Sequence, residues 1–246
     1  MFTLLFFLTA LLSEIVGTVA GFGSSVFFVP LAGFFFDFHQ VLALTSILHV
    51  FSNAAKLVLF GKHVRLRLLL LLGIPSVVAV IAGAYLSTKV TFKFDELILG
   101  LFLIAFSLFF LCKPTARISA TKVNAISAGG TAGFLAGLIG TGGAFRGLAL
   151  AAFNLEKGVF VATSAGIDSG VDFSRMIIYL RSGYLAPNSL IYVAGLLVIA
   201  FAGSYLGKLS LGRIDQKYFR QIVLGFVLVI GLITLGRAIN AMVRSA

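Results

Sequence analysis

Gly21-Phe22-Gly23-Ser24-Ser25 and Gly140-Thr141-Gly142-Gly143 each interrupt a run of apolar residues. Each leads into a segment, 26–37 or 143–155, too short to cross a bilayer alone. Glycine permits positive φ and close backbone approach, so these interruptions predict discontinuous helices. At such a break the opening N–H groups of the next half-helix lack intrahelical partners, and the macrodipole amounts to about +0.5 charge. In low-dielectric surroundings that arrangement holds an anion well. The competing reading is tight helix packing through small residues. Two clusters at corresponding places favour the site.

Outward from the breaks, further apolar segments run over 2–22, 41–60, 68–88, 95–112, 123–140, 158–180, 190–207 and 219–238. Most have the roughly 18 residues needed to cross about 30 Å of hydrocarbon. Of the 246 residues 60% are hydrophobic and 11% charged, and the mean hydropathy is +1.11. A soluble domain of this length has too little interior for so much apolar surface. The expected fold is an all-α, multi-pass integral membrane protein with eight to ten transmembrane helices, placed in the inner or plasma membrane of the cell.

The formal charge of +11 does not point to nucleic acid. Its carriers lie mostly in short connections: Lys62, Arg65 and Arg67; Lys113, Arg117 and Lys122; Lys208, Arg213, Lys217 and Arg220. Such loops stay in the cytoplasm and face anionic lipid, and no soluble module remains to bind nucleic acid. Cys112 is the only cysteine, so an intrachain disulfide and a thiolate metal cluster are both excluded. No cofactor or metal site is expected. Met1 to Ala20 lacks a basic n-region and carries Glu14 within its apolar stretch, so it reads as a first transmembrane helix rather than a signal peptide.

The chain repeats itself at an offset of about 119. Gly21-Phe-Gly23 aligns with Gly140-Thr-Gly142, Leu31-Ala32 with Leu150-Ala151, and Thr45-Ser46 with Thr163-Ser164. Ala82-Gly83-Ala84-Tyr85-Leu86 then matches Ala202-Gly203-Ser204-Tyr205-Leu206, followed by Asp95 with Asp215 and Leu99-Gly100 with Leu224-Gly225. Collinear order carries the argument, because single Gly, Ala or Leu matches mean little in this composition. The reading is a first transmembrane repeat over 1–112, a basic linker over 113–122 containing Pro114, and a second repeat over 123–246. Repeated halves with matching broken helices point to a transporter whose site lies between the halves. Five segments per half, an odd number, make the repeat inverted. The loops at 61–67, 113–122 and 208–218 then share the cytoplasmic side, with both termini outside. Re-entrant short segments would instead leave eight passes and an even division of Lys and Arg.

Ionisable residues inside apolar segments mark the chemistry. Arg146 lies three residues after Gly143, and a cation in mid-membrane costs about 2.5 to 3.5 kcal/mol unless it has a function or a partner. On the segment 158–180, Ser164, Asp168, Asp172 and Arg175 fall within about 80° of one another, a polar stripe on an apolar helix. Ser46, His49, Asn53 and Lys56 form a similar stripe on 41–60. Asp172 with Arg175 can also be a plain i,i+3 pair, and Lys56 can snorkel. Glu14, Asp168 and Asp172 balance Lys56, Arg146 and Arg175, which leaves His49 to change charge near neutral pH. That balance suits a carrier in which protonation offsets the anion. The candidate substrate residues are Gly21, Gly23, Ser24, Ser25, Thr45, Ser46, Gly140, Gly142, Gly143, Arg146, Thr163, Ser164 and Arg175; the coupling candidates are Glu14, His49, Asp168 and Asp172.

With these motifs the chain resembles the TauE/SafE family, the sulfite-exporter type of membrane protein. That family carries Gly-x-Gly-Gly-Gly followed by Pro in its repeats, then a Thr-Ser pair on the next helix. Here the first repeat offers Gly21, Gly23, Ser24, Ser25 and Pro30, then Thr45-Ser46; the second offers Gly140, Gly142, Gly143 and Ala144, then Thr163-Ser164. Two serines, Ala144 and Ala149 replace expected glycines and a proline, and Arg146 enters the motif. The resemblance implies transport of sulfite, organosulfonates or related small anions, including carboxylates, by alternating access, and no enzymatic activity. A homodimer is compatible with it. Two other classes remain open. Carboxylates at 14, 168 and 172 would suit a cation or metal-ion carrier or channel. Ser24 or Ser25 with His49 as base would suit an intramembrane serine hydrolase.

Overall fold

The computed structural model describes residues 2–20, 23–61, 64–89, 92–113, 119–210 and 216–243, and for Ala20, Phe92, Lys93, Ala144 and 216–220 the backbone alone. Gly21, Lys62, Pro114, Arg117, Arg213 and Asp215 therefore lie outside the described residues. The described chain is helical and without strands. Its elements are α1 (Phe2–Ala20), α2 (Ser25–Ala32), α3 (Phe38–Phe60), α4 (Leu66–Ser87), α5 (Phe92–Cys112), α6 (Lys122–Ile139), α7 (Gly143–Ala151), α8 (Lys157–Arg181), α9 (Leu190–Ser210) and α10 (Gln216–Val243). Asp37 and Thr121 open α3 and α6 by accepting hydrogen bonds from the N–H groups of Gln40 and Asn124.

Among the described residues six helices (α1, α3, α4, α5, α9 and α10) are long and apolar enough to cross a membrane. α8 has the length, at 25 residues, but carries Lys157, Asp168, Asp172, Arg175 and Arg181. Burial is inverted relative to a soluble protein. Glu14, Arg146, Asp172 and Arg175 are buried, whereas Leu4, Leu12, Val78, Val198 and Phe226 are exposed on the outer faces of their helices. Such a surface is stable against lipid.

Both short helices turn back beside the helix before them. In a continuous helix residues 17 and 24 would stand roughly 10 Å apart, yet a Cβ on Gly17 would fall 2.4 Å from the Ser24 nitrogen. At the other end of the pair, Phe2 packs edge-on against Phe35, with centroids 5.0 Å apart. A Cβ on Gly142 would likewise meet the Ala132 carbonyl. The expected segments 26–37 and 143–155 are thus helices of eight and nine residues followed by turns, the second turn containing Asn154 at φ 48°.

Packing between the two ends of the chain is reciprocal. α4 lies on α6, and α9 lies on α1; α4 and α9 also pack on α8 and α3 respectively, while α3 meets α8 and α5 meets α10. Close backbone approach fixes the directions. Cβ atoms on Gly129, Gly133 and Gly137 would fall 2.5, 2.1 and 2.3 Å from the carbonyls of Leu72, Ser76 and Val80, so α6 runs parallel to α4. Gly195, Gly203 and Gly207 press on Phe7, Glu14 and Thr18, so α9 runs parallel to α1. Asn53 with Asp172 and His49 with Arg175 make α3 and α8 antiparallel. This crossing carries both polar stripes inward, directly beneath the two breaks.

Candidate functional site

Gly23 and Gly140 hold φ of +80° and +77°, the left-handed conformation that glycine adopts without steric cost. A Cβ on Gly23 would lie 3.7 Å from the Cα of Gly143, so the two breaks face each other. Ser25 Oγ donates to Thr141 Oγ1 at 3.3 Å, linking them. Around this junction Gly23, Ser24, Ser25, Gly140, Gly142 and Gly143 from the breaks meet His49, Asn53 and Lys56 from α3, Arg146 from α7, and Asp168, Asp172 and Arg175 from α8. They enclose a cavity of about 30 Å³, room for roughly two waters. A second cavity of about 40 Å³ shares Gly23, Asn53, Lys56 and Asp168, and continues past Ser164, Val161 and Phe160 toward the end of the bundle where α8 begins.

Three ion pairs fill the site. Glu14, fully buried, lies 2.6 Å from Lys56 Nζ and accepts from Ser24 at 2.7 Å, from Ser204 at 3.3 Å and from Ser52. Arg146 pairs with Asp168, which also accepts from Ser164 at 3.3 Å. Arg175 grips Asp172 through Nε and Nη2, both at 2.8 Å, and Asp172 accepts from Asn53 at 2.7 Å. Arg175 goes further. Its Nη1 donates to the carbonyls of Ala136 and Gly140 at 3.1 and 2.9 Å, closing the C-terminus of α6 at the break, where the dipole favours a cation.

His49 has one tautomer consistent with its neighbours. Arg175 Nη2, which can only donate, stands 3.3 Å from Nδ1, so Nδ1 accepts and Nε2 carries the hydrogen. Nε2–H then donates to Ser24 Oγ at 2.9 Å, and Ser24 donates to Glu14. The result is a continuous relay from His49 through Ser24 and Glu14 to Lys56. Asp172 Oδ2 waits 3.6 Å from Nδ1, an acceptor for a protonated ring.

Other predicted residues sit elsewhere. Thr45 is buried outside the cavity lining, with no hydrogen-bond partner for Oγ1 among the described residues. Ser46 donates to its own helix at the Ala43 carbonyl, 2.7 Å away. Thr163 accepts from the Arg65 backbone N–H at 3.0 Å, near the start of α8. Ser164 joins only the second cavity. Three hydroxyl partners, Ser52, Ser204 and Thr18, escaped sequence reasoning. Each hydroxyl reaches Glu14, and the helical spacing of Ser52 and Lys56 was the available signal. On the far side of the site, Tyr179 donates to the Gly137 carbonyl and stacks on Tyr184, which stacks on His39 beside Asp95.

One detail separates Arg146 from every other cation here. It is 3% exposed, and its Nε is a buried donor without a hydrogen-bond partner among the described residues. Such an atom costs about 1–3 kcal/mol to leave unsatisfied.

The family model described as sulfite exporter TauE/SafE matches residues 6–234, nearly the whole chain. No curated protein and no solved structure matches it.

Proposed function

We propose, from the premise that this chain belongs to the TauE/SafE family of membrane sulfite exporters, that it carries a small oxyanion across the membrane by alternating access. The substrate class is sulfite, an organosulfonate or a related oxyanion or carboxylate. The observation that carries this reading is Arg146, which lines a cavity built by both helix breaks and whose buried Nε has no hydrogen-bond partner among the described residues. The cavity is too small for an oxyanion beside the existing side chains, so the anion enters by replacing something. Asp168 is the group whose charge it replaces: a tethered carboxylate on Arg146, with Ser164 and Lys56 on its other side. An oxyanion would take its place on the guanidinium by charge-assisted hydrogen bonds.

Charge balance supports proton coupling. Glu14, Asp168 and Asp172 offset Lys56, Arg146 and Arg175 while His49 is neutral. A monoanion arriving alone would leave net negative charge in a low-dielectric site. A proton on His49 cancels it, and turns Nδ1 from an acceptor facing Arg175 into a donor facing Asp172. The parallel and antiparallel pairings of the helices support two inverted halves, 1–112 and 123–246, joined by 113–122. The end of the bundle carrying Arg65, Arg67, Lys122, Lys157 and Lys208 is then cytoplasmic by the positive-inside rule, in the plasma membrane.

Two rivals fare worse. For a cation carrier, every carboxylate lining the site already holds an Arg or Lys, and no His, Cys, Asp or Glu group among the described residues is arranged to hold a metal ion. The hydrolase reading has a specific geometry in its favour, Ser24 beside His49 and His49 near Asp172. Yet Nε2 carries a hydrogen and the Ser24 proton points to Glu14, so His49 is in the wrong tautomer to act as base. Reaction with a serine-directed fluorophosphonate would revive it. The test of the main proposal is uptake of labelled sulfite, methanesulfonate and acetate into proteoliposomes, with and without an imposed pH gradient. Wild-type protein accumulates at least one of these when the gradient is set, and Arg146→Gln does not. Accumulation of none of them, or unchanged accumulation by Arg146→Gln, overturns it.

A further inference from the structure

A separate cavity of about 380 Å³ opens at the start of α4 and α6, lined by Arg65, Arg67, Leu68, Leu71, Lys122 and the turn residues Phe153 and Leu155, with Ala120 at its edge. It shares no residue with the anion site. The three cations are exposed at the starts of α4 and α6, and none forms an ion pair with a carboxylate among the described residues. The walls below them are aliphatic and aromatic. The first turns of two helices meet here, and both dipoles place partial positive charge at the same end. The end itself is a membrane surface, because α4 starts there as a membrane-crossing helix.

We propose that this cavity is a binding site for an anionic glycerophospholipid. Arg65, Arg67 and Lys122 take the phosphate, and one acyl chain lies along Leu68, Leu71, Phe153 and Leu155. Charge alone would suit free phosphate equally. The apolar wall decides for a lipid, since inorganic phosphate would leave four apolar side chains facing an unfilled cavity. Basic pockets between transmembrane helices hold lipid headgroups by this combination. Occupancy also reaches α8, because the Arg65 N–H donates to Thr163 Oγ1 at 3.0 Å. A lipid held on Arg65 therefore braces α4 against the helix that bears Asp168, Asp172 and Arg175.

The test is lipid retention by the purified, delipidated full chain, read by native mass spectrometry and by thermal unfolding in detergent. Adding phosphatidylglycerol gives a one-lipid adduct and raises the melting temperature, whereas phosphatidylcholine, glycerol phosphate and inorganic phosphate do neither. Each basic side chain at an anionic headgroup contributes about fivefold, so Arg65→Gln, Arg67→Gln and Lys122→Gln together weaken retention by roughly a hundredfold. Lys89→Gln with Arg181→Gln, exposed cations at the opposite end, leaves it unchanged. Equal adducts with phosphatidylcholine, an equal shift with inorganic phosphate, or full retention by the triple variant overturns the proposal. The wild-type arms decide even where the triple variant does not fold. Transport is not the readout, so this proposal and the anion-carrier reading fail independently.

Discussion

Arg146 and Arg175 lie on either side of the second helix break, 3% and 1% exposed, and the protein uses them in opposite ways. Arg175 donates to Asp172, to His49 and to two carbonyls at the end of α6. Arg146 holds one carboxylate, and its Nε has no hydrogen-bond partner among the described residues. Burial therefore does not distinguish the two arginines; the count of satisfied donors does. Arg175 closes the end of α6 at the break, and the proposed carrier assigns the anion to Arg146.

Replacing Arg175 is the most damaging way to test this division. Arg175→Ala strands Asp172 in the interior and uncaps α6, and breaking a buried pair costs about 3–5 kcal/mol. The melting temperature in detergent falls sharply, and Arg175→Lys restores little, because an ammonium cannot form the planar fork. A stable Arg175→Ala protein with normal uptake would put both arginines in one class.

Arg146→Gln has a smaller effect on the fold and a larger one on the ligand. Loss of charge-assisted hydrogen bonds weakens anion binding by about 1.5–3 kcal/mol, some ten- to a hundredfold, as read by titration of the purified protein. Adding Asp168→Asn to that variant relieves the carboxylate left unpaired and raises the melting temperature without restoring binding. Recovery of binding in the double variant would sever the link between Arg146 and the anion.

The sequence makes much of this arrangement readable, for identifiable reasons. Glycine clusters and apolar run lengths respond to backbone geometry and to lipid, so the two breaks and the helical membrane fold show in composition and order alone. The polar stripes obey a 100° rotation per residue, and His49, Asn53, Asp168, Asp172 and Arg175 do converge. Donor satisfaction is different. Whether Arg175 spends its hydrogens on Ala136 and Gly140 depends on how α6 ends against α8, a tertiary fact without local signature. The Thr45-Ser46 and Thr163-Ser164 pairs show the converse: a visible repeat whose members, Ser164 aside, lie outside both cavities of the site.

His49 touches Arg175 at 3.3 Å, and the proposed proton coupling makes it the next residue to test. On the proposed coupling, wild-type anion binding tightens as pH falls, because a proton taken up with the anion offsets its charge. A single titrating group gives a slope of at most about tenfold per pH unit. His49→Gln keeps a donor toward Ser24 and removes the proposed proton carrier, so its binding is flat across the same range. A retained slope would move the coupling to Asp168 or elsewhere.

The smallest expected effect concerns the first break against the second. Ser25 Oγ to Thr141 Oγ1, at 3.3 Å, is a single neutral hydrogen bond between the tips, buried on both sides. A neutral bond contributes about 1 kcal/mol net. Ser25→Ala and Thr141→Val each remove that bond, and each strands its partner, so the single variants overstate its worth. The double variant removes both hydroxyls and leaves neither orphaned. A double-mutant cycle on the melting free energy isolates a coupling of about 0.5–1 kcal/mol. That bond joins the tips of the two broken helices, so alternating access should stretch it in one of the two end states. Ser25→Ala therefore shifts the balance of inward- and outward-open forms, read as a change in the ratio of uptake to efflux at equal gradients. A measurable coupling with an unmoved ratio would make the two tips one rigid body, with the moving parts elsewhere.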